Sequence, residues 1–214
     1  LNSTIKTVTE ELENLHPHLA TRALQEFWLN NLSRSYIQFV RDRISLGDKE
    51  VSFVLQEIYT TLIKLLAPII PFTTEKIWQE LKEKKIVKEE SVHLSNFPKP
   101  DAKKINTKLE KEFKSALEII ESGLRERDQE QIGLKWPLTK ATISTTSKIN
   151  KELQEIIARQ INVKKIELKS GKTTEVKLDT KLTPELEAEG FAREIARFVQ
   201  AQRKKASLIK TDII

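Results

Sequence analysis

Between residues 51 and 69 the chain reads VSFVLQEIYTTLIKLLAPI, with apolar side chains at Val51, Val54, Leu55, Ile58, Leu62, Leu65, Leu66 and Ile69. Steps of three and four mark an α-helix. A stripe this wide suits a helix contacted from several sides, at the centre of a bundle. Pro68 ends or kinks it, because proline has no amide to donate and its ring crowds the preceding turn. Toward the N-terminus, Leu24, Phe27, Trp28, Leu32, Tyr36, Phe39 and Val40 share a broad face of a second helix, closed by Gly47-Asp48. Its other side presents Asn30, Arg34, Gln38 and Arg41. Before it, Ile5, Val8, Leu12 and Leu15 recur at helical spacing up to Pro17. Toward the C-terminus, Phe72-Thr73-Thr74-Glu75-Lys76-Ile77-Trp78 reads as a helix start, with Thr73 capping the first amides and Phe72 stapled on Ile77. Ile77, Trp78 and Leu81 then face inward and Lys82, Lys84, Lys85 and Lys88 outward. Trp28 and Trp78 both sit among apolar residues at helical spacing, which favours core packing for each.

The period changes at Ser91-Val92-His93-Leu94-Ser95, which alternates, and Asn96–Pro100 reads as a break between units. A long helix follows with Leu109, Phe113, Leu117, Ile120 and Leu124 as its seam. From about Gly133 the pattern is mixed. Strands are expected at Ala141–Ser144, Val163–Leu168 and Glu175–Leu178, and a short helix at Asn150–Gln160. A final helix opens at Thr183-Pro184-Glu185, where a capping threonine precedes proline and first-turn acids. The expected fold is mainly α: a helical bundle over 1–100, then a long connecting helix and a small mixed α/β domain over 101–214.

Composition narrows the function. No apolar run approaches the roughly 18–20 residues that cross a bilayer, and polar, helix-patterned Leu1–Leu15 is not a signal peptide. The chain has no cysteine and three histidines, so no metal site is expected, and a reducing, cytoplasmic setting fits. The net charge of +6 is uneven: residues 1–100 carry 13 basic and 13 acidic side chains, residues 101–214 carry 24 and 18. A polyanionic partner for the basic half and a merely solvated lysine-rich surface both fit that asymmetry. There is also no methionine, and the sequence ends in mid-pattern at Thr211-Asp212-Ile213-Ile214, so a piece of a longer polypeptide is expected.

Four ordered segments resemble the isoleucyl-tRNA synthetases, most closely their archaeal and eukaryotic type. They are Leu32-Ser33-Arg34-Ser35-Tyr36-Ile37-Gln38-Phe39-Val40-Arg41-Asp42-Arg43; Leu66–Trp78, which is shared with the valine and leucine enzymes; Ser91-Val92-His93-Leu94 with Phe97-Pro98; and Leu182–Glu194. The resemblance implies the C-terminal, anticodon-binding region of such an enzyme, with isoleucine tRNA and the rest of its own synthetase chain as partners, no membrane, and a monomeric state. The family's ATP-binding His-x-Gly-His and Lys-Met-Ser-Lys-Ser signatures do not occur here. The resemblance therefore implies a parent that joins isoleucine to tRNA with ATP and Mg, while this chain has no cofactor and no catalytic residue of its own.

Reading an anticodon means holding unstacked bases on flat side chains while cations anchor phosphates. Arg34, Gln38 and Arg41 form one candidate ridge, unless the arginines pair with carboxylates inside the bundle. Lys82 lies on the outward face of its helix. Gly133-Leu134-Lys135-Trp136-Pro137-Leu138 is a rigid turn that either presents the Trp136 ring beside Lys135 or tucks it under the next strand. Arg193, Arg197 and Lys204 align on the last helix as a phosphate track, although Glu189 is placed to pair with Arg193. Arg43, next to Asp42, reads as structural, and Arg125 and Arg127 as a solvated face.

Overall fold

The structure, a computed structural model, describes residues 1–209 and 212. The mid-pattern ending at Thr211, Ile213 and Ile214 lies outside the described residues. The chain divides into two compact units, Leu1–Asn106 and Thr107–Ile214. It is mainly helical, a bundle followed by a small mixed α/β region.

In the first unit α1 (Asn2–Glu13) and α2 (Pro17–Glu26) run into a π-helix (Phe27–Tyr36), short α3 (Ile37–Phe39) and α4 (Arg41–Ser45). Long α5 (Lys49–Leu66) and α6 (Pro71–Glu83) complete the bundle. Most of the stripe read on α5 occupies the core: Leu62 and Leu65 are buried against Ile5, Val8, Leu24 and Leu32, whereas Val54 is exposed. Asp48 caps α5 by accepting from the amides of Glu50 and Val51, and Gly47 supplies the positive φ of the turn before it. The helix stops at Leu66, directly before Ala67-Pro68, with Ala67 still in helical dihedrals. A second cluster joins Ile63 and Ala67 to Trp78 and Val92, so Trp78 is a core residue as its spacing predicts.

Two expectations here need correction. Leu15 lies beyond the end of α1 in a left-handed conformation and is 85% exposed. Helix α1 closes one turn earlier than its apolar spacing, with the His16 amide reaching back to the Glu11 carbonyl. Helix α6 starts at Pro71, not Thr73; Phe72 is 89% exposed and staples nothing, and the buried hydroxyl is that of Thr74, which donates to the Ile70 and Pro71 carbonyls. The alternating Ser91–Ser95 forms a 3₁₀ turn (Val92–Leu94). Glu75 explains that turn. Its carboxylate accepts from the Ser91 hydroxyl at 2.7 Å, the Val92 amide at 3.1 Å and the Gln79 side chain at 2.6 Å, while the Trp78 indole donates to the Glu89 carbonyl. Side-chain bonds to α6 have replaced the neighbouring strand that an alternating segment needs.

The second unit contains α7 (Thr107–Gln129), β1 (Leu138–Thr145), α8 (Lys151–Gln160), β2 (Val163–Ser170), β3 (Glu175–Leu178) and α9 (Pro184–Lys205). Its three-stranded sheet has the order β2-β1-β3, with β1 parallel to β2 and antiparallel to β3. Central β1 buries Leu138, Ala141 and Ile143, whereas edge strand β2 is mostly exposed and lysine-rich, which discourages pairing with another chain. Helix α7 packs on β3 and α8. The seam it uses is Ala116, Ile119, Ile120, Gly123 and Arg127, one residue out of step with the expected Leu109–Leu124 line. Leu109 and Leu124 are exposed. Gly123 sets that choice: a Cβ there would sit 2.8 Å from the Ile161 side chain, so a bare backbone is what lets α7 approach. No helix among the described residues is long and apolar enough to cross a membrane.

Candidate nucleic-acid interface

The ridge predicted on the second helix lies at the solvent surface of the first unit. Arg34, Gln38 and Arg41 are all exposed. Arg34 is oriented by a polar ladder, in which its guanidinium donates to the Asn30 side-chain carbonyl at 3.1 Å and the Asn30 amide donates to Glu26 at 2.7 Å. Among the described residues neither Arg34 nor Arg41 is ion-paired, so the reading in which these arginines bind carboxylates inside the bundle does not hold. Arg43 behaves differently and as expected. It bonds Asp48 at 2.7 Å and reaches Glu50 at 3.4 Å, bracing the α5 cap. The Arg43 hydrogen bond, with the amides at the helix start, holds the Asp48 carboxyl below the usual carboxylate range. Lys82 is half-buried on α6 and makes no ion pair among the described residues.

Trp28 requires the clearest correction. Expected in the core, it is exposed, whereas Phe27 and Leu32 are buried. The cause is the π-helix, whose bonds run from i to i+5 and whose face therefore advances more slowly than 3.6 spacing assumes. The Ile37 amide bonds the Leu32 carbonyl, and the Ser35 hydroxyl adds a bond to the Asn30 carbonyl at 2.6 Å.

In the second unit Lys135, Trp136 and Arg193 come together. The Trp136 ring lies over Gly190 so closely that a Cβ there would overlap it, and it meets Phe191 edge-on with centroids 5.1 Å apart. Lys135 pairs with Glu194 at 2.6 Å and Lys164 with Glu189 at 2.6 Å, while Arg193 bonds Glu189 at 2.6 Å and the Lys135 carbonyl at 3.4 Å. Lys164 first, then Arg193, keep the Glu189 carboxyl below its usual range. Exposed ion pairs of this kind contribute roughly 0–1 kcal/mol each, so the ring-on-glycine packing is what fixes the start of α9. Of the two arrangements open to Trp136, the ring is docked, against α9 rather than under β1. Arg197 and Lys204, further along α9, are exposed and make no ion pair among the described residues.

Two features were missed in the sequence. Arg127, read as solvated, is 2% exposed and donates to the carbonyls of Ile161 at 2.7 Å, Gly133 at 3.2 Å and Asn162 at 2.8 Å. Burial lowers its pKa to about 10, which leaves it cationic at neutral pH. Its position four residues after Gly123 and eleven after Ala116 was the available signal. A shallow cavity at the start of α7 is lined by Lys108, Lys111 and Lys148 around paired hydroxyls of Ser115 and Ser147, 3.0 Å apart. No spacing rule links Lys148 to α7, because the fold alone brings them together. Among the described residues no group of three or more acidic, histidine or cysteine side chains is placed to hold a metal ion.

Residues 1–143 match the family model described as the anticodon-binding domain of tRNA ligase. Isoleucine–tRNA ligase of Methanopyrus kandleri is 34% identical over 174 residues, which cover 78% of this chain and 16% of that protein. The Pyrococcus furiosus ligase is 32% identical over 175 residues, 78% of this chain and 16% of that protein. The Methanosarcina mazei ligase is 30% identical over 214 residues, 94% of this chain and 20% of that protein. The chain thus spans no more than a fifth of the length of these relatives. With well over half of its residues within the family model, the chain belongs to the anticodon-binding domains of the tRNA ligases.

Proposed function

We propose that this chain is the tRNA-holding part of an isoleucine–tRNA ligase, binding the anticodon arm of isoleucine tRNA so that the acceptor end reaches a catalytic domain on the same polypeptide. The observation that carries the reading is the exposed, carboxylate-free pair Arg34 and Arg41 with Gln38 between them, on a chain whose first 143 residues match the anticodon-binding family. In this reading the first unit, close to electrically balanced, contacts bases and the phosphates beside them. The second unit, with most of the charge excess, grips phosphates through Lys108, Lys111 and Lys148 and through Arg197 and Lys204. Lys82 is a flanking cation, while Lys135, Trp136 and Arg193 chiefly seat α9 and reach RNA only at the rim of that contact. Ligation, with its ATP and Mg, belongs to the parent elsewhere, and the whole would work as a cytoplasmic monomer.

Titrating the chain with isoleucine tRNA at several salt concentrations tests this reading. The expected result is a linear fall of log affinity with log salt and a preference over an unrelated tRNA. A flat plot, or equal binding of both RNAs, overturns it. A bracing role is the second reading, favoured by the exposed Phe191, Ile195, Phe198 and Val199 of α9, which suit a protein surface better than RNA. Reversing the charge of Arg34 and Arg41 separates the two. The first reading loses tRNA affinity at unchanged melting temperature, whereas the second loses neither affinity nor aminoacylation rate in the parent.

A further inference from the structure

The cavity at the start of α7 holds more than the three lysines that give it its charge: Glu112, Ser115 and Ser147 line it as well. Ser115 precedes the buried Ala116 on the α7 seam. Ser147 is fixed by its amide, which donates to the Thr145 hydroxyl at 3.1 Å, and is followed within two residues by the buried Ile149. The two hydroxyls, 3.0 Å apart, are thus positioned by the packed fold, whereas Lys108, Lys111 and Lys148 are exposed and make no ion pair among the described residues. A serine hydroxyl has a single proton to donate. Within the pair one hydroxyl donates and the other accepts, so one O–H has no acceptor among the described residues. Glu112 is half-buried in the same cavity, and its carboxylate has no ion pair among the described residues either. An ionised carboxylate only accepts hydrogen bonds, so it repels a bare phosphate and calls for a donor beside the ligand's negative charge.

We propose that this cavity seats one ribose–phosphate unit of an RNA backbone, with the phosphate on the three lysines and the free serine O–H, and the ribose 2′-hydroxyl donating to Glu112. Lysines and hydroxyls are ordinary donors to phosphate oxygens, and the 2′-hydroxyl is the group by which a protein tells RNA from DNA at a given site. No aromatic or wholly apolar side chain lines the cavity, so there is no platform for a base to stack on and no apolar centre for a protein contact. Its volume of about 360 Å³ lies near the lower end of ligand pockets, which run from roughly 300 to 1,000 Å³, and leaves the base outside. A base-paired stem presents its backbone in this way. This seat deepens the tRNA-holding reading and rests on it: to cations that grip phosphate it adds neutral donors and an acceptor that selects ribose.

The test uses the full chain with isoleucine tRNA, and with a short RNA duplex and the DNA duplex of the same sequence. Replacing both hydroxyls, Ser115→Ala with Ser147→Ala, is expected to weaken tRNA binding about tenfold. The salt slope should not change, because a neutral donor releases no counterion. Glu112→Ala is expected to bind the DNA duplex more tightly than the native chain does and to narrow the preference for the RNA duplex roughly three- to tenfold, since the repulsion and the ribose contact disappear together. If the native chain binds tRNA but the double serine variant binds it equally well, or Glu112→Ala keeps the native RNA-to-DNA ratio, the seat is overturned while the tRNA-holding reading stands. If the native chain does not bind tRNA at all, that reading fails and the seat falls with it. Circular dichroism and melting separate lost binding from lost folding. Should the double serine variant melt early, Glu112→Ala, which removes no side-chain bond among the described residues, decides alone.

Discussion

Arg127 shows how a charge can be held by geometry without an opposite charge. Three carbonyls from the end of α8 and the turn before β1 converge on one guanidinium, whose fixed fork of donors fits them as a lysine could not. Arg127→Met keeps the apolar stem but strands those carbonyls, at about 1–3 kcal/mol for each that water cannot reach, partly offset by no longer burying a cation. The net expectation is a loss of about 3 kcal/mol confined to residues 107–214, read as an earlier urea midpoint for β1 amide signals, with Arg127→Lys intermediate. Equal midpoints would show that water already serves the three carbonyls. Glu75 is the acidic counterpart in the first unit. Its bond from Ser91, followed by those from Gln79 and Val92, lowers its folded pKa. The ionised form is therefore the one the fold prefers, so its contribution is complete above the ordinary glutamate value and drains away as pH falls through the lower folded value. Glu75→Gln should lose stability at neutral pH and show a smaller further loss on acidification than the native chain. Identical pH dependence of the two would remove Glu75 from the acid response. Neither residue was legible as such in sequence, because the buried arginine and the carboxylate hub depend on partners beyond the reach of helical spacing, up to 35 positions away for Arg127 and 17 for Glu75.

At the scale of the element, one cap and one strand were readable. Thr183 accepts from the Leu186 amide ahead of Pro184, and β3 spans Glu175–Leu178 as expected, whereas Asp48, read as closing the second helix, starts α5 and the cap expected at Thr73 is not formed. The Thr183 cap is a local choice made within four residues, which is why sequence suffices there. Faces were less readable. The seam of α7 runs through Ala116 and Gly123, small residues that add little hydrophobicity but allow close approach. Trp28 turned outward because no 3.6-residue rule anticipates a π-helix. Gly190 makes the same point in α9. On helix propensity alone Gly190→Ala should stabilise by up to about 1 kcal/mol. The added methyl would meet the Trp136 ring, however, and overpacking at such a contact costs typically 1–3 kcal/mol. The steric effect should win, lowering the melting temperature and weakening the near-ultraviolet signal of Trp136. A stabilised variant would mean that the ring swings aside at little cost.

For the whole molecule, charge placement is the property most directly read from sequence. The excess of basic residues beyond position 100 needs no structure to count, but only the fold gathers Lys108, Lys111 and Lys148 around one cavity. Replacing the three by serine should cut the salt slope of tRNA binding by up to about three units while leaving discrimination between tRNAs largely intact, since phosphate contacts carry affinity more than identity. An unchanged slope would place the phosphate grip elsewhere. Helix α9 carries a consequence of a different kind, measured in time. Leu186 and Gly190 are buried, but from Phe191 through Gln202 every residue is exposed. A stretch of that length has little helical stability in water without packing partners, so its amides should open with a free energy near zero, while those near Gly190 open only with the unit they are packed into. Hydrogen exchange followed residue by residue should therefore slow sharply on passing from Gln202 back to Leu186. Addition of tRNA or of the rest of the ligase should slow the fast end only if that partner lies against it, which makes the exchange rate of α9 a clock for what covers this helix.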